Sequence, residues 1–431
     1  MKNLFGLGAG AALAPSLRAQ PREDPGEPLP VVTPDIADLP FSMENGVKIF
    51  HLVAEPVKQT VIPGRTFDLW GFNGSAPGPT IQAREGDRVR IILENRLPEP
   101  TGIHWHGLEL PIDMDGVAGI GQKPILPGES FVYEFSLHQN GTFFYHSHMA
   151  MQEMVGMLGG FIIHPKTPYS PRVEKDYLIA LQEYAVPPNS TIPNSMKMEF
   201  NWLTFNGKCG PASTPLVIRL GDRVRIRIIN LGMDHHPIHL HGFTFWETGH
   251  EAARLPDAIW ARGNTVLVAV AQARDIEFIA DRVGDWMFHC HLPHHMMNQM
   301  VSNVGPMTRL GVTRLGVTRL GVTGVGDGVQ PGGGMEADHA MPNMPAMHLA
   351  GLPKNANQVP LFPQDAYMEN RMMAMDKEVE KPETYGLPAG WSGFIGGMMT
   401  LVRVLPPEQY ETIMALKARE RKAQREENGV R

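Results

Sequence analysis

The sequence predicts an all-β protein, with two Greek-key β-sandwich domains followed by a Met-rich, partly disordered C-terminal extension. Three observations predict it. Four short motifs recur in the same order, at offsets of 133 to 143 residues. The segments beside them alternate polar and apolar residues, as half-buried strands do. Turn formers are abundant and charge is sparse, with 45 glycines, 38 prolines and 19% charged residues in a chain of 431.

The N-terminus comes first. Lys2, an apolar small-residue run from Leu4 to Ala14, and Leu17-Arg18-Ala19 before Gln20 predict an export signal over residues 1–19 and a periplasmic or extracellular location. The run is too short to span a bilayer, and no twin arginine is visible. The net charge of −7 gives no reason to expect nucleic acid or an anionic membrane as partner.

The two domains are placed at 45–168 and 172–308. Phe72-Asn73-Gly74 recurs as Phe205-Asn206-Gly207, and Gly86-Asp87-Arg88-Val89-Arg90-Ile91 as Gly221-Asp222-Arg223-Val224-Arg225-Ile226. Ile103-His104-Trp105-His106-Gly107 recurs as Ile238-His239-Leu240-His241-Gly242, and the stretch from Gly141 to His148 as that from Gly284 to His291. Asn-Gly and Pro-Gly pairs punctuate turns. The stretch from Pro165 to Asn201 is too short for a third sandwich.

After Pro306 the composition changes. Thr-Arg-Leu-Gly-Val is written three times over 308–322 and a Gly-rich run follows, so 309–334 reads as a linker. Residues 335–431 read as a tail carrying Met335, Met341, Met344, Met347, Met368, Met372, Met373 and Met375, ending in a charged helix from Pro406 to Glu427.

Ten of the 18 histidines fall into four clusters: His104 and His106; His146 and His148; His236, His239 and His241; His289 and His291 with His295. A lone histidine is most often structural, but four His-x-His pairs at equivalent places in two copies are not. On a strand, residues i and i+2 share a face, so each pair aims two imidazoles one way. Four pairs meeting at a point supply eight nitrogens, too many for one ion and suited to three. Copper, zinc, iron and nickel all accept imidazole. Cys290 narrows the choice, because it points opposite to His289 and His291. Together with His236, His295 and a weak axial Met300 it forms the ligand set of a blue-copper electron-transfer site. The other cysteine, Cys209, is expected to be a small buried residue, not a disulfide partner.

These motifs resemble those of the multicopper oxidases (laccases, bilirubin-oxidase-like enzymes and bacterial cuprous oxidases) over about residues 60–305, and with only two sandwiches the chain is similar to the two-domain laccase-like type. The resemblance implies two cupredoxin-like domains and four coppers per chain. His236, Cys290 and His295, with Met300 axial, would hold the type 1 copper. His104 and His239 would hold the type 2 copper. His106, His146 and His291 would hold one type 3 copper, and His148, His241 and His289 the other. Electrons would pass from a reductant through Cys290 and its two neighbours, and four of them with four protons would turn dioxygen into water. Asp115 would help deliver protons. Met296 stands where several relatives carry a second, glutamate donor; Glu153 or Glu183 would be its substitute. Ser147 takes the place of Cys290 in the first copy, so that domain should lack a type 1 copper. Two-domain relatives build the three-copper nest between neighbouring subunits, which implies a homotrimer.

The reductant is open among Cu(I), phenols and aromatic amines. The methionines at 149, 151, 154 and 157 read as core packing. Those of the tail, with His339 and His348, could bind Cu(I). Two alternatives stand beside the oxidase: a copper nitrite reductase, which has no use for four His-x-His pairs, and a copper-binding or copper-resistance protein, which has no use for a cysteine between two cluster ligands.

Overall fold

The computed structural model describes residues 28–149, 151–187, 189–296 and 374–427. The export signal, Met297, Met300, the Thr-Arg-Leu-Gly-Val repeat, the Gly-rich run and the tail methionines from Met335 to Met373 lie outside the described residues.

The first sandwich contains β1 (Phe41–Glu44), β2 (Val47–Ile62), β3 (Arg65–Phe72), β4 (Ile81–Arg84), β5 (Arg88–Asn95), β6 (Ile103–His106), β7 (Ser130–Ser136), β8 (Gly141–Ser147) and β9 (Leu158–His164). One sheet runs β1-β2-β5-β7 with β3 on β2, and the other runs β4-β9-β8-β6. The alternation read from the sequence of β5 is the alternation of its burial: Val89, Ile91 and Leu93 face the core. Trp105, Tyr133, Tyr145 and Phe161 fill the space between the sheets. Asn73 and Gly74 both take positive φ, and Phe72 and Ser75 exchange backbone hydrogen bonds across them, as in a primed hairpin turn. Asn206 and Gly207 repeat this in the second copy.

The second sandwich contains β10 (Lys175–Tyr184), β11 (Trp202–Phe205), β12 (Leu216–Arg219), β13 (Arg223–Asn230), β14 (His236–Leu240), β15 (Phe245–His250), β16 (Ala253–Arg254), β17 (Ala261–Gly263), β18 (Thr265–Val268), β19 (Gln272–Ile279), β20 (Gly284–Cys290) and β21 (Met399–Leu405). Its sheets are β11-β10-β13-β19-β15-β16, with β17 on β15, and β12-β21-β20-β14-β18.

Here the structure differs from the expected boundary at 308. The second sandwich is closed by β21, which lies in the stretch read as tail. β21 sits between β12, to which it is parallel, and β20, to which it is antiparallel. The first copy supplies the reason, since β9 lies in the same way between β4 and β8. Without β21, the buried strands β12 and β20 would each face an open edge. In the first copy residues 148–157 join the two strands; in the second, 291–398 do so. The short turn α1 (Pro293–Met296) opens that long connection, and the helix α2 (Pro407–Glu427) follows β21. Tyr410 and Ile413 of α2 pack on Val217 and Leu405.

A buried ionic network joins the two sandwiches. Arg227 bonds Asp176 and donates to Thr142 Oγ1 at 2.7 Å, and Thr142 donates to Asp275 at 2.7 Å. Phe144, Leu158 and Ile162 of the first domain pack with Leu178, Ile229 and Ala273 of the second. Among the described residues no helix is long and apolar enough to cross a membrane.

Candidate metal centre

Two antiparallel pairings place the histidines. β6 lies against β8 with His104 opposite His146, and β14 lies against β20 with His239 opposite His289. The same registers put Ile103 opposite Ser147 and Ile238 opposite Cys290. The residues between the histidines therefore turn into each sandwich, while the histidines turn out of it.

On the inner side of β20, Cys290 meets His236 from the start of β14 and His295 from α1. The Cys290 Sγ lies 3.7 Å from His236 Nδ1 and 3.5 Å from His295 Nδ1, and those two nitrogens are 3.0 Å apart. All three side chains are fully buried. Ligand bonds of about 2.0–2.3 Å, as in zinc sites, would space three donors around one ion at about 3.3–3.8 Å; both sulfur–nitrogen sides fall in that range and the nitrogen–nitrogen side needs to open only slightly, so this triangle suits a metal. Burial pushes the Cys290 thiol up to about 12, so without a metal it stays protonated and unreactive.

Acidic side chains stand behind two of these ligands. Glu183, fully buried, has its Oε2 3.2 Å from His236 Nε2. Its Oε1 accepts the backbone N–H groups of Met233 and Asp234. Gly232 leaves the room, because a Cβ there would lie 2.0 Å from that carboxylate. Asp234 Oδ2 is 3.5 Å from His295 Nε2. Sequence reasoning considered Glu183 as a proton donor to the histidine nest, but the structure sets it at the cysteine site instead. It missed Asp234. His235 and His294, the exposed neighbours of His236 and His295, do not enter the triangle.

The outward-facing histidines form two sets of four. In the first domain, the ring centroids of His106, His146 and His148 lie 5.5–5.6 Å from that of His104. In the second, His241, His289 and His291 lie 4.8, 5.6 and 5.3 Å from His239. Two nitrogen pairs approach closely: His106 Nδ1 to His146 Nε2 at 3.4 Å, and His241 Nε2 to His289 Nε2 at 3.0 Å. These are the pairs that the resemblance assigns to a shared ion. Burial, reinforced by neighbouring imidazoles, lowers His106 to about 4. Burial likewise lowers His289 to about 4. Both rings are thus neutral and able to ligate at physiological pH. Among the described residues, the close ring contacts between histidines of the nest each fall within one set of four. His148 and His291 are exposed.

Each set has its own supports. The backbone carbonyl of Asp115 lies 2.9 Å from His104 Nδ1 and its carboxylate 3.4 Å. Glu153 Oε2 is 2.9 Å from His146 Nδ1. His239 Nδ1 lies 2.7 Å from the carbonyl of Asn264. Such contacts fix the ring tautomer and leave Nε2 for a metal.

In the first domain, the place of the cysteine site is taken by Thr101, Ser147 and Gln152, all buried. Ser147 Oγ donates to Gln152 Oε1 at 2.7 Å, Thr101 Oγ1 donates to the same oxygen at 2.8 Å, and the two hydroxyls are 3.3 Å apart. These neutral groups satisfy one another and offer no soft or imidazole donor.

Comparisons with known proteins agree with this geometry. Residues 55–168 and 184–306 each match a family described as multicopper oxidase. A blue copper oxidase from Nitrosomonas europaea is 32% identical with a TM-score of 0.53, over 57% of this chain and 80% of that one. The multicopper oxidase mgLAC is 32% identical with a TM-score of 0.55, over 58% and 81%. Copper resistance protein A of Pseudomonas syringae pv. tomato is 37% identical over 145 residues, which is 34% of this chain and 24% of that protein. Laccase-2 of Botryotinia fuckeliana is 31% identical over 253 residues, 52% of this chain and 42% of that protein. The chain thus spans about a quarter of the copper resistance protein and under half of the laccase. With both sandwiches matched, and with copper-type donors gathered where those matches lie, the chain belongs to the multicopper oxidase family.

Proposed function

We propose that the protein is a laccase-like, two-domain oxidase that takes electrons singly from a small reductant and uses four of them, with four protons, to reduce dioxygen to two waters. The observation that carries the proposal is the back-to-back arrangement on β20. Cys290 faces a buried one-ion triangle while His289 and His291 face the nest, so one short stretch of backbone links both sites.

Four coppers per chain suit the donors. One belongs with His236, Cys290 and His295. Three belong with His104 and His239; His106, His146 and His291; and His148, His241 and His289. When bound, copper supplies one-electron oxidation at the cysteine site and dioxygen reduction at the nest. The protein's part is to hold the imidazoles neutral and aimed, and to keep a carboxylate, Asp115, beside His104 as the proton carrier. Because, among the described residues, each domain turns one set of four histidines outward and leaves one of them exposed, the nest is completed between the first domain of one subunit and the second of another. A head-to-tail contact of that kind closes into a ring, here a homotrimer.

Export to the periplasm or beyond fits the N-terminal pattern. Cu(I) joins phenols and aromatic amines as a candidate reductant, because relatives carry the name copper resistance protein A. The test is oxygen uptake by copper-loaded protein, with Cu(I) or a phenol as sole reductant. Uptake with a ratio of four electrons per dioxygen supports the oxidase. Nitrite turnover without oxygen uptake would favour a copper nitrite reductase, and copper binding without either would favour a carrier.

A further inference from the structure

We infer that Met398, and not Met300, is the fourth ligand of the Cys290 site, so that the metal ties together two stretches of chain about a hundred residues apart. The inference rests on the reading of that site as type 1 copper.

The first domain acts as the template. There the three positions of the triangle are Thr101, Ser147 and Gln152, and the residue just before the closing strand β9 is Met157. Ser147 N donates to the carbonyl of Met157 at 3.0 Å, and Met157 N donates to the carbonyl of Gln152 at 3.3 Å. In the second domain, the residue just before the closing strand β21 is Met398. Cys290 N donates to the carbonyl of Met398 at 3.0 Å, and Met398 N donates to the carbonyl of His295 at 2.9 Å. The two pairs of bonds are the same, with Cys290 in the place of Ser147 and His295 in that of Gln152.

Spacing alone favours Met300, which follows Cys290 by as many residues as Met157 follows Ser147. In the first copy, however, spacing and position before the closing strand select one residue. In the second copy the long connection separates them, and the backbone bonds go to Met398. Local sequence agrees: Gly156-Met157 is matched by Gly397-Met398, and both glycines have positive φ, +112° and +56°. At Gly397 the requirement is strict, because a Cβ would lie 2.0 Å from the carbonyl oxygen of His295. The Met398 side chain is fully buried and belongs to the same core cluster as Cys290. A thioether there is the weak axial donor that a site of two histidines and one cysteine takes.

The test uses full-length, copper-loaded protein in three versions: parent, Met398→Leu and Met300→Leu. The axial ligand tunes the reduction potential of such a site, so the potential and the visible and paramagnetic spectra are measured in redox titrations that need no turnover. Met398→Leu should shift both the potential and the spectrum, with copper content kept, while Met300→Leu matches the parent. Should Met398→Leu fail to fold, Met398→Gln keeps the length of the side chain, supplies an oxygen donor and is expected to shift the same readouts. A shift with Met300→Leu, or none with the Met398 variants, overturns the assignment. A parent with no blue site at all would instead refute the proposed function.

Discussion

Glu183 Oε2 lies 3.2 Å from His236 Nε2, and neither side chain is exposed. The carboxylate can only accept, so the ring must donate from Nε2, and Nδ1 is left with its lone pair toward Cys290. The same carboxylate holds the backbone N–H groups at 233 and 234, which carry Asp234 to His295. One buried acid thus orients both imidazoles of the cysteine site.

Replacing Glu183 with alanine should therefore weaken copper retention at this site about 10–100-fold, the usual cost of losing such a partner. Competition against a chelator, followed through the blue absorption, measures it. Glu183→Gln, which can still accept one hydrogen bond, should fall between alanine and parent. Equal retention by all three would refute the orienting role.

Ser147→Cys should create no second blue site, because Thr101 and Gln152 supply no imidazole beside the new thiol. Ser147→Ala should destabilise the first domain by about 1 kcal/mol, since Gln152 Oε1 keeps only Thr101 and the Met149 N–H loses its acceptor. Copper content and thermal unfolding check the two variants.

Acid should loosen the second domain before copper chemistry is considered. Burial alone would raise Glu277, but the charges of Arg225 and Arg254 outweigh it and hold the carboxyl at about 2, below its ordinary 4.5. A folded value below the unfolded one means stability that is fully present above about pH 4.5 and is lost as pH falls toward 2. The difference is about 3 kcal/mol. Glu277→Gln should flatten that part of the stability curve and also lower stability at neutral pH, because Arg223 and Arg254 lose their shared countercharge and Arg225 keeps only Asp176. Denaturant unfolding of copper-free protein at several pH values decides it.

Dilution below the subunit dissociation constant should abolish oxygen uptake while the blue band persists, because Cys290, His236 and His295 belong to one chain, whereas the proposed trimer shares the histidine nest between two. Full oxygen uptake by a proven monomer would contradict the shared nest.

Much of this was legible in the sequence. The His-x-His spacing on alternating strands fixed which imidazoles share a face, and Cys290 between two histidines fixed the back-to-back arrangement. Contacts distant along the chain were not legible. Glu183 reaches His236 only because β10 and β13 lie side by side and Gly232 leaves room. β21 was hidden because its short apolar run, Met399 to Leu405, follows a long stretch of unlike composition, and only the sheet shows that it closes the second sandwich.

The central claim is most directly tested by metal analysis combined with visible spectroscopy of the protein grown with copper. The account predicts about four coppers per chain and an intense blue thiolate band that disappears in Cys290→Ser while the remaining copper is kept. A colourless protein filled with zinc, or a blue band that survives Cys290→Ser, would contradict it.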